Sequence, residues 1–282
     1  MKNIYFLLLI LFITINVQAQ ENALLWQVSG KNINQPSFLF GTIHMLCPED
    51  FNISDSIRST LNRTQKLYLE IDMDDASLMI KTVQLSMLKH GSIKELMSAE
   101  SYTRLERFMK DTIGIPMMML NRMKPFTLLS LLYTKILPCP KPESYEQRLL
   151  EMAKNRKMEV LGLEKLEDQF DVFDQIPDTA EVSMIMEMID NYESQRTEFE
   201  KMVRLYNNKD LNGLATMING SPEMAGFEDL LLINRNRNWI PIMEKAMAAQ
   251  PTFFAVGAGH LPGENGVIDL LRKSGYTITP VD

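Results

Sequence analysis

Apolar and polar residues alternate in two rhythms along this chain, and the change of rhythm divides it. ALLWQVSG (23–30) and SFLFGTIH (37–44) are short β-type apolar runs. The polar turn NINQP between them fits a hairpin or a short connection. A helix follows around 53–62, with Ser54 or Asp55 near its start. KLYLEIDM (66–73) is the next strand. Asp74 and Asp75 then offer caps and negative charge to a helix reaching about Lys89. Its apolar positions Leu78, Met79, Val83 and Met87 recur at helical spacing, and His90-Gly91 ends it. From 92 to 155 the rhythm is helical, punctuated by Pro116, Pro125, Pro138, Pro140 and Pro142. MEVLGLE (158–164) is a strand, and a largely helical stretch runs from 165 to about 248 with one long amphipathic segment at 178–207. TFFAVGAGH (252–260) is a strong apolar strand. GVIDLLRKSG (266–275) is a helix closed by Gly275, and YTITPV (276–281) is a final β-branched strand.

Strands therefore open and close the chain around a helical middle. The expectation is an α/β fold, with a mixed β-sheet built from N- and C-terminal strands and a large helical insertion. We expect one domain over 20–282, mostly helical at about 76–155 and 165–248. The last strand–helix–strand unit fits a βαβ crossover.

The first residues, MKNIYFLLLILFITINVQAQ, change the picture of where the protein works. Lys2, an apolar run from Ile4 to Val17, and Val17-Gln18-Ala19 have the form of a secretory signal over 1–19, cleaved before Gln20. The competing reading is an uncleaved anchor, but the run falls short of the roughly 20 apolar residues of a span. No later segment is apolar and long enough to cross a membrane, so the mature chain is expected to be exported without a transmembrane segment, to the periplasm, cell envelope or medium. The formal net charge is −7, and −8 once Lys2 is removed. Lys and Arg are scattered, which argues against nucleic acid, whose binding needs a basic stripe. Two cysteines remain, Cys47 and Cys139. A disulfide, free thiols, or a metal role for Cys47 (three residues after His44) all stay open.

Two of the three histidines stand in one context: FLFGTIH puts His44 three residues after Gly41, and AVGAGH puts His260 three after Gly257. In open α/β sheets functional groups gather beyond the carboxyl ends of strands. Glycine there lets the backbone turn sharply or approach a ligand closely. If the two strands are neighbours, two imidazoles meet at one crevice, where imidazole serves as metal ligand or general acid/base. Each histidine could instead bond only locally. His90, at a helix end, is given no role.

With these motifs in view, the chain resembles the TraB/GumN family, which includes the TIKI-type exported metalloproteases. The resemblance rests on FLFGTIH, YLEID, VLGLEKLEDQ, RNRNW and FFAVGAGHLPGENGVIDLLRKSGY, in that order over nearly the whole mature chain. It implies an EreA/ChaN-like α/β fold with both Gly-x-x-His motifs, an acid and an arginine at one site. It also implies metal-dependent peptide hydrolysis. The acid aligns with Glu70, which strand alternation sets on one face with Tyr68 and Asp72. Glu70 could complete a two-His, one-carboxylate metal site or orient a histidine base. The arginine aligns with Arg235, suited to an oxyanion or a substrate carboxylate. Asn236 accompanies it, Trp239 reads as core, and Pro241 as a kink or restart of its helix. Asp72 is a supporting or solvated acid. Glu164 could be a site acid at a strand end or could serve the first turn of the next helix, where carboxylates are favoured; it is counted as supporting and leans structural, with Gln169 a possible hydrogen-bond partner of the site. Gly257 and Gly259 are set by backbone geometry. PMMML (116–120) reads as a packing face, with an apolar haem or substrate surface as the rival.

The expected function is an exported metal-dependent hydrolase acting on a peptide or protein. His44, Glu70 and His260 would hold a divalent ion (manganese, cobalt or zinc) and Arg235 would stabilise the oxyanion. The alternatives are a haem- or metal-binding envelope protein without turnover, and a metal-independent hydrolase using a histidine base.

Overall fold

In a computed structural model of the chain, residues 22–221 and 226–281 are described. The expected leader lies outside them. Six strands form one sheet: β1 (Leu25–Gly30), β2 (Ser37–Thr42), β3 (Lys66–Ile71), β4 (Glu159–Glu164), β5 (Thr252–Gly257) and β6 (Tyr276–Pro280), in the order β4-β3-β5-β2-β1-β6. β4, β3, β5 and β2 run parallel, while β1 lies antiparallel to both β2 and β6. The sheet is thus mixed and drawn from both ends of the chain. β2 and β5 are buried on both faces, which is why they read as continuous apolar runs without alternation.

The helices are α1 (Asp55–Asn62), α2 (Leu78–Leu85), α3 (Ala99–Phe108), α4 (Met117–Leu120), α5 (Pro125–Tyr133), α6 (Tyr145–Asn155), α7 (Leu166–Phe173), α8 (Asp178–Asp190), α9 (Tyr192–Asn207), α10 (Leu211–Asn219), α11 (Asn234–Ala249) and α12 (Val267–Lys273). Ser54 caps α1 by accepting from the Ile57 N–H at 3.2 Å. Gly275 follows α12 with φ +93°, the left-handed turn that favours glycine. One apolar core surrounds the sheet. A second is built from Ile93 through Met188, in the helices between β3 and α9, with Leu105, Leu128, Leu132 and Ile185 fully buried. Among the described residues no helix is long and apolar enough to cross a membrane.

Three local expectations are corrected. The helix expected from Asp74 to Lys89 contracts to α2, and no residue of it is buried. The Asp75 carboxylate instead accepts from the Ser77 N–H and hydroxyl at 2.8 and 2.7 Å, closing a turn before the helix starts. The amphipathic segment 178–207 is two helices, α8 and α9, broken at Asn191 (φ −114°, ψ 24°). Pro241 does not restart a helix, because α11 runs through it. Pro241 and Arg237, whose carbonyl would otherwise be its i−4 partner, both lie on the exposed side, where water can take the freed acceptor. PMMML splits by face: Met117 and Leu120 enter the second core, and Met118 and Met119 are exposed.

The topology fixes the site. Thr42 pairs with Gly257 in register, and Ile71 with Glu164. The carboxyl ends of all four parallel strands therefore share one edge of the sheet.

Candidate active site

Each of those strand ends delivers a functional group. Gly41, one residue before the end of β2, packs so closely against the turn after β5 that a Cβ would fall 2.7 Å from Leu261 Cδ1 and 3.2 Å from Ala258. Glycine is required there by close approach, which answers why the apolar run carries one. Past it, Thr42 and His44 turn to the rim. Gly257 ends β5, and its N–H donates to Glu70 Oε1 at 2.8 Å. A single helical turn, Ala258–His260, then brings His260 inward.

Arg235 is the hub. Its Nε–H donates to both Glu164 oxygens at 3.1 Å, and Nη2 donates to Glu70 Oε2 and Glu164 Oε1, each at 2.6 Å. Nη1 donates to the Leu231 carbonyl at 3.1 Å and faces His260 Nε2 at 3.3 Å. Every one of its five N–H donors thus has a partner inside the protein. The side chains are sequestered, with 9% of Arg235, 12% of Glu70 and 10% of Glu164 exposed. Glu164 also accepts from Trp239 Nε1 at 3.1 Å and from Gln169 Nε2 at 3.1 Å, and the Gln169 amide reaches Glu70 at 3.3 Å. The residue read as structural is therefore the arginine's second carboxylate.

The hydrogen-bond partners define the state of His260. Asn236 Nδ2 donates to the Asn265 carbonyl at 2.9 Å, so Asn236 Oδ1 faces His260 Nδ1 at 2.6 Å and must accept its proton. Nε2 is left with a lone pair, turned toward Arg235 and toward Glu70 Oε1 at 3.8 Å. Burial first, with Arg235 and His44 assisting and Glu70 opposing, pushes the imidazole down to about 3, so it is neutral at physiological pH. Burial of Glu70 opposes its ionisation, but the positive groups around it and the Gly257 N–H hold its carboxyl at about 2. With His260 neutral, the permanent charge of Arg235 carries most of that effect.

His44 is the opposite case. Its side chain is 71% exposed, and its Nδ1 meets the buried Glu146 carboxylate at 3.0 Å. The hydrogen bond to Glu146 raises it to about 9, against the cost of burial, so it carries a proton at neutral pH. Solvent screens this exposed pair and softens the rise without reversing it. Glu146 sits in the first turn of α6, in PESYEQRLL, and was not singled out in the sequence. Its only sequence signal is Ser144, which marks a helix start and explains a nearby acid equally well as dipole partner.

The remaining candidates fall around this cluster. Asp72 accepts from the Asp74 N–H at 3.0 Å and makes a turn. Gly259 packs on Ile218. Cys47 and Cys139 are joined in a disulfide, which removes Cys47 as a metal ligand. Among the described residues no three His, Cys, Asp or Glu side chains converge as a metal-ligand set. The expected trio is thus reduced. His260 and Glu70 present two electron-pair donors to one space, with the tautomer and the Asn236 support that a metal-bound histidine needs. His44, protonated and tied to Glu146, offers no lone pair from Nδ1.

The sequence profile of the TraB/PrgY/gumN family matches residues 24–280. The chain belongs to that family. It is similar to Metalloprotease TIKI1 of Danio rerio, 21% identical over 93% of this chain and 63% of the relative. It is similar also to Metalloprotease TIKI2 of Xenopus tropicalis (22%, over 93% and 60%) and Metalloprotease TIKI1 of Homo sapiens (23%, over 93% and 62%). This TraB/PrgY/gumN chain thus spans about six tenths of the length of these relatives. No solved structure matches it. At this identity, family membership supports a hydrolase or protease at the level of the family and leaves the substrate to the site.

Proposed function

We propose that this chain is an exported hydrolase that cleaves a peptide or protein substrate at the carboxyl edge of the sheet. The observation that carries the reading is the contrast between two histidines at that edge. His260 is neutral, with Nε2 turned to Glu70 Oε1 at 3.8 Å, and His44 is held protonated by Glu146. Two titratable groups pushed in opposite directions are the mark of an acid/base pair.

In this reading Glu70 and His260 hold a water and accept its proton, which requires Arg235 Nη1 to give up its contact with His260 Nε2. Arg235 keeps Glu70 ionised and aimed at that space, with Glu164 as its second carboxylate partner. Its own donors are engaged, so the oxyanion role expected of it would require Nη1 to leave His260, the longest of its contacts. His44, exposed at the rim, gives its proton to the leaving nitrogen as the carbon–nitrogen bond breaks. His260 and Glu70 also fit as the two protein donors of a divalent ion, which agrees with the relatives' names. Such an ion would lower the pKa of its bound water from near 16 to about 7. Two donors beside a guanidinium make a weak, exchangeable site, and manganese, cobalt and zinc are the ions to try. Export is supported by the leader pattern and by the Cys47–Cys139 disulfide, which suits an oxidising compartment.

The test is cleavage of an unfolded protein such as casein by the purified chain, metal-stripped and then reloaded with each ion. His44→Ala, His260→Ala and Glu70→Gln run beside it, and elemental mass spectrometry gives metal content. Turnover lost in all three folded variants supports the proposal. Dependence on one ion, with its binding lost in His260→Ala and kept in His44→Ala, supports the two-donor site. Turnover that persists in a chelator assigns the metal-free route. A Soret band on haem titration, lost in His44→Ala, with no cleavage under any loading, would overturn the proposal in favour of a binding protein.

A further inference from the structure

The segment that carries His44 is fastened to one other part of the chain, the residues leading into α6. Leu46 and Glu143 exchange both backbone hydrogen bonds, at 3.0 and 2.8 Å. Cys47 is linked to Cys139. The Phe40 ring meets Tyr145 edge-on at 5.3 Å between centroids. At the centre of this clamp lies the Glu146 carboxylate, 9% exposed. Its Oε1 accepts from Thr42 Oγ1 at 2.6 Å and meets His44 Nδ1 at 3.0 Å, and its Oε2 accepts from Ser144 Oγ at 2.8 Å.

We propose that Glu146 is the positioning residue of His44, fixing the ring so that Nδ1 is the protonated edge and Nε2 is the edge presented to substrate. The inference rests on the hydrolase reading above for what His44 does, and on geometry alone for how Glu146 holds it. A carboxylate with both oxygens engaged by Thr42 and Ser144 cannot rotate. The imidazole must therefore come to it, and only one ring nitrogen can reach. The side chain of His44 is mostly exposed and would otherwise sample several rotamers. The arrangement parallels that of the other histidine, where Asn236 receives the Nδ1 proton of His260. Two Gly-x-x-His units thus share one feature, an Nδ1 anchored by a fixed acceptor, although Nε2 of His260 faces Arg235 and Glu70 inside the cluster. The two anchors come from unrelated places, a carboxylate on α6 and an amide on α11.

The rival is that Glu146 only caps α6 and braces Thr42. Glu146→Ala and the near-isosteric Glu146→Gln are compared in the parent and in a His44→Ala background. Nitrogen-15 spectra of the ring nitrogens of His44 are recorded on the same full chains, assigned by their loss in His44→Ala. We expect kcat to fall by about 10- to 100-fold in Glu146→Ala with KM little changed, and no further fall in the His44→Ala background. We also expect the nitrogen shifts at neutral pH to move from those of a doubly protonated ring held by the carboxylate toward the averaged pair of a free, neutral imidazole. Glu146→Gln, which can still accept from Nδ1–H and should fold normally, is expected to recover part of kcat. Unmoved nitrogen shifts in Glu146→Ala would overturn the proposal. So would an undiminished loss of turnover in the His44→Ala background. If the parent cleaves nothing, the hydrolase reading fails while the nitrogen shifts still decide the role of Glu146.

Discussion

Replacing Arg235 by methionine, close to it in volume, strips the charge from between two buried carboxylates. Glu70 and Glu164 are about nine-tenths sequestered and both oxygens of Glu164 face the guanidinium. Removing one partner of a buried pair costs about 3–5 kcal/mol, because the remaining charge has neither water nor counter-ion. Here two carboxylates are left facing each other, so the upper end applies. For a chain of this size that is a fall in Tm of roughly 10–20 °C. The sign with pH identifies the cause. In the parent, Glu70 is held at about 2, so its stabilising contribution is complete above its unfolded value near 4.5 and is lost as pH falls toward 2. In Arg235→Met the burial that opposes ionisation of Glu70 is no longer offset, so its folded value would lie above the unfolded one and the penalty is largest at neutral pH and fades below about pH 5. Urea unfolding of parent and variant at pH 7.5 and 4.5 measures both. Adding Glu164→Gln to Arg235→Met should recover part of the loss at pH 7.5 and almost nothing at pH 4.5. A deficit under 1 kcal/mol at pH 7.5, or one equally large at pH 4.5, would refute the reasoning.

Other parts of the molecule make separate predictions. Cys47 and Cys139 are 92 residues apart, and opening a loop of that length by Cys47→Ser with Cys139→Ser should lower stability by about 4–5 kcal/mol in the chain-entropy picture, read by urea unfolding with and without reductant. In the helical part, burial of Glu181, with Asp178 adding repulsion, raises its carboxyl to about 7. Its folded value lies above its unfolded one, so native protein binds the extra proton and stability falls as pH rises from about 4.5 to 7; Glu181→Gln should lose that slope, so the parent-minus-variant difference should fall over this range, and a flat difference would assign it elsewhere. Gly162→Ala would put a Cβ 2.6 Å from the Asp72 nitrogen and the Glu164 carbonyl, both backbone atoms that cannot yield cheaply. It should destabilise by about 2–3 kcal/mol and disturb Glu164, checked by thermal unfolding and by the fluorescence of Trp239, whose indole bonds that carboxylate.

Much of this was legible in the chain because the sheet is simple to read. β2 and β5 are unbroken apolar runs, each stopping at a glycine, and the histidine three residues on lies where strand ends collect function. Glu70, Arg235, Asn236 and His260 are brought together as their motifs implied. Glu164 stays open in sequence between a site acid and a helix-start acid, because a strand-end carboxylate and a first-turn carboxylate look alike there; its four donors are visible only in the fold. Glu146 could not be seen, because it lies 102 positions from His44 and nothing local links them. The helices α8 and α9 were fused in the reading because Asn191 interrupts a pattern whose apolar spacing continues across it. The extent of α2 was overread for a related reason. Its apolar residues keep helical spacing, but Met79, Ile80 and Val83 face outward and have no core to prolong the helix.

The place of β5 in the sheet has a consequence for how this protein is made. β5 lies between β3 and β2, yet it begins at Thr252, long after both have been synthesised. A chain translated only as far as Gln250 holds two strands whose facing edges have no strand between them. Those edges can be joined only by a segment that arrives last and brings His260 with it. The cluster of Arg235, Glu70 and His260 therefore cannot assemble before this segment emerges, so whatever chemistry the site performs waits for nearly the whole chain to be made.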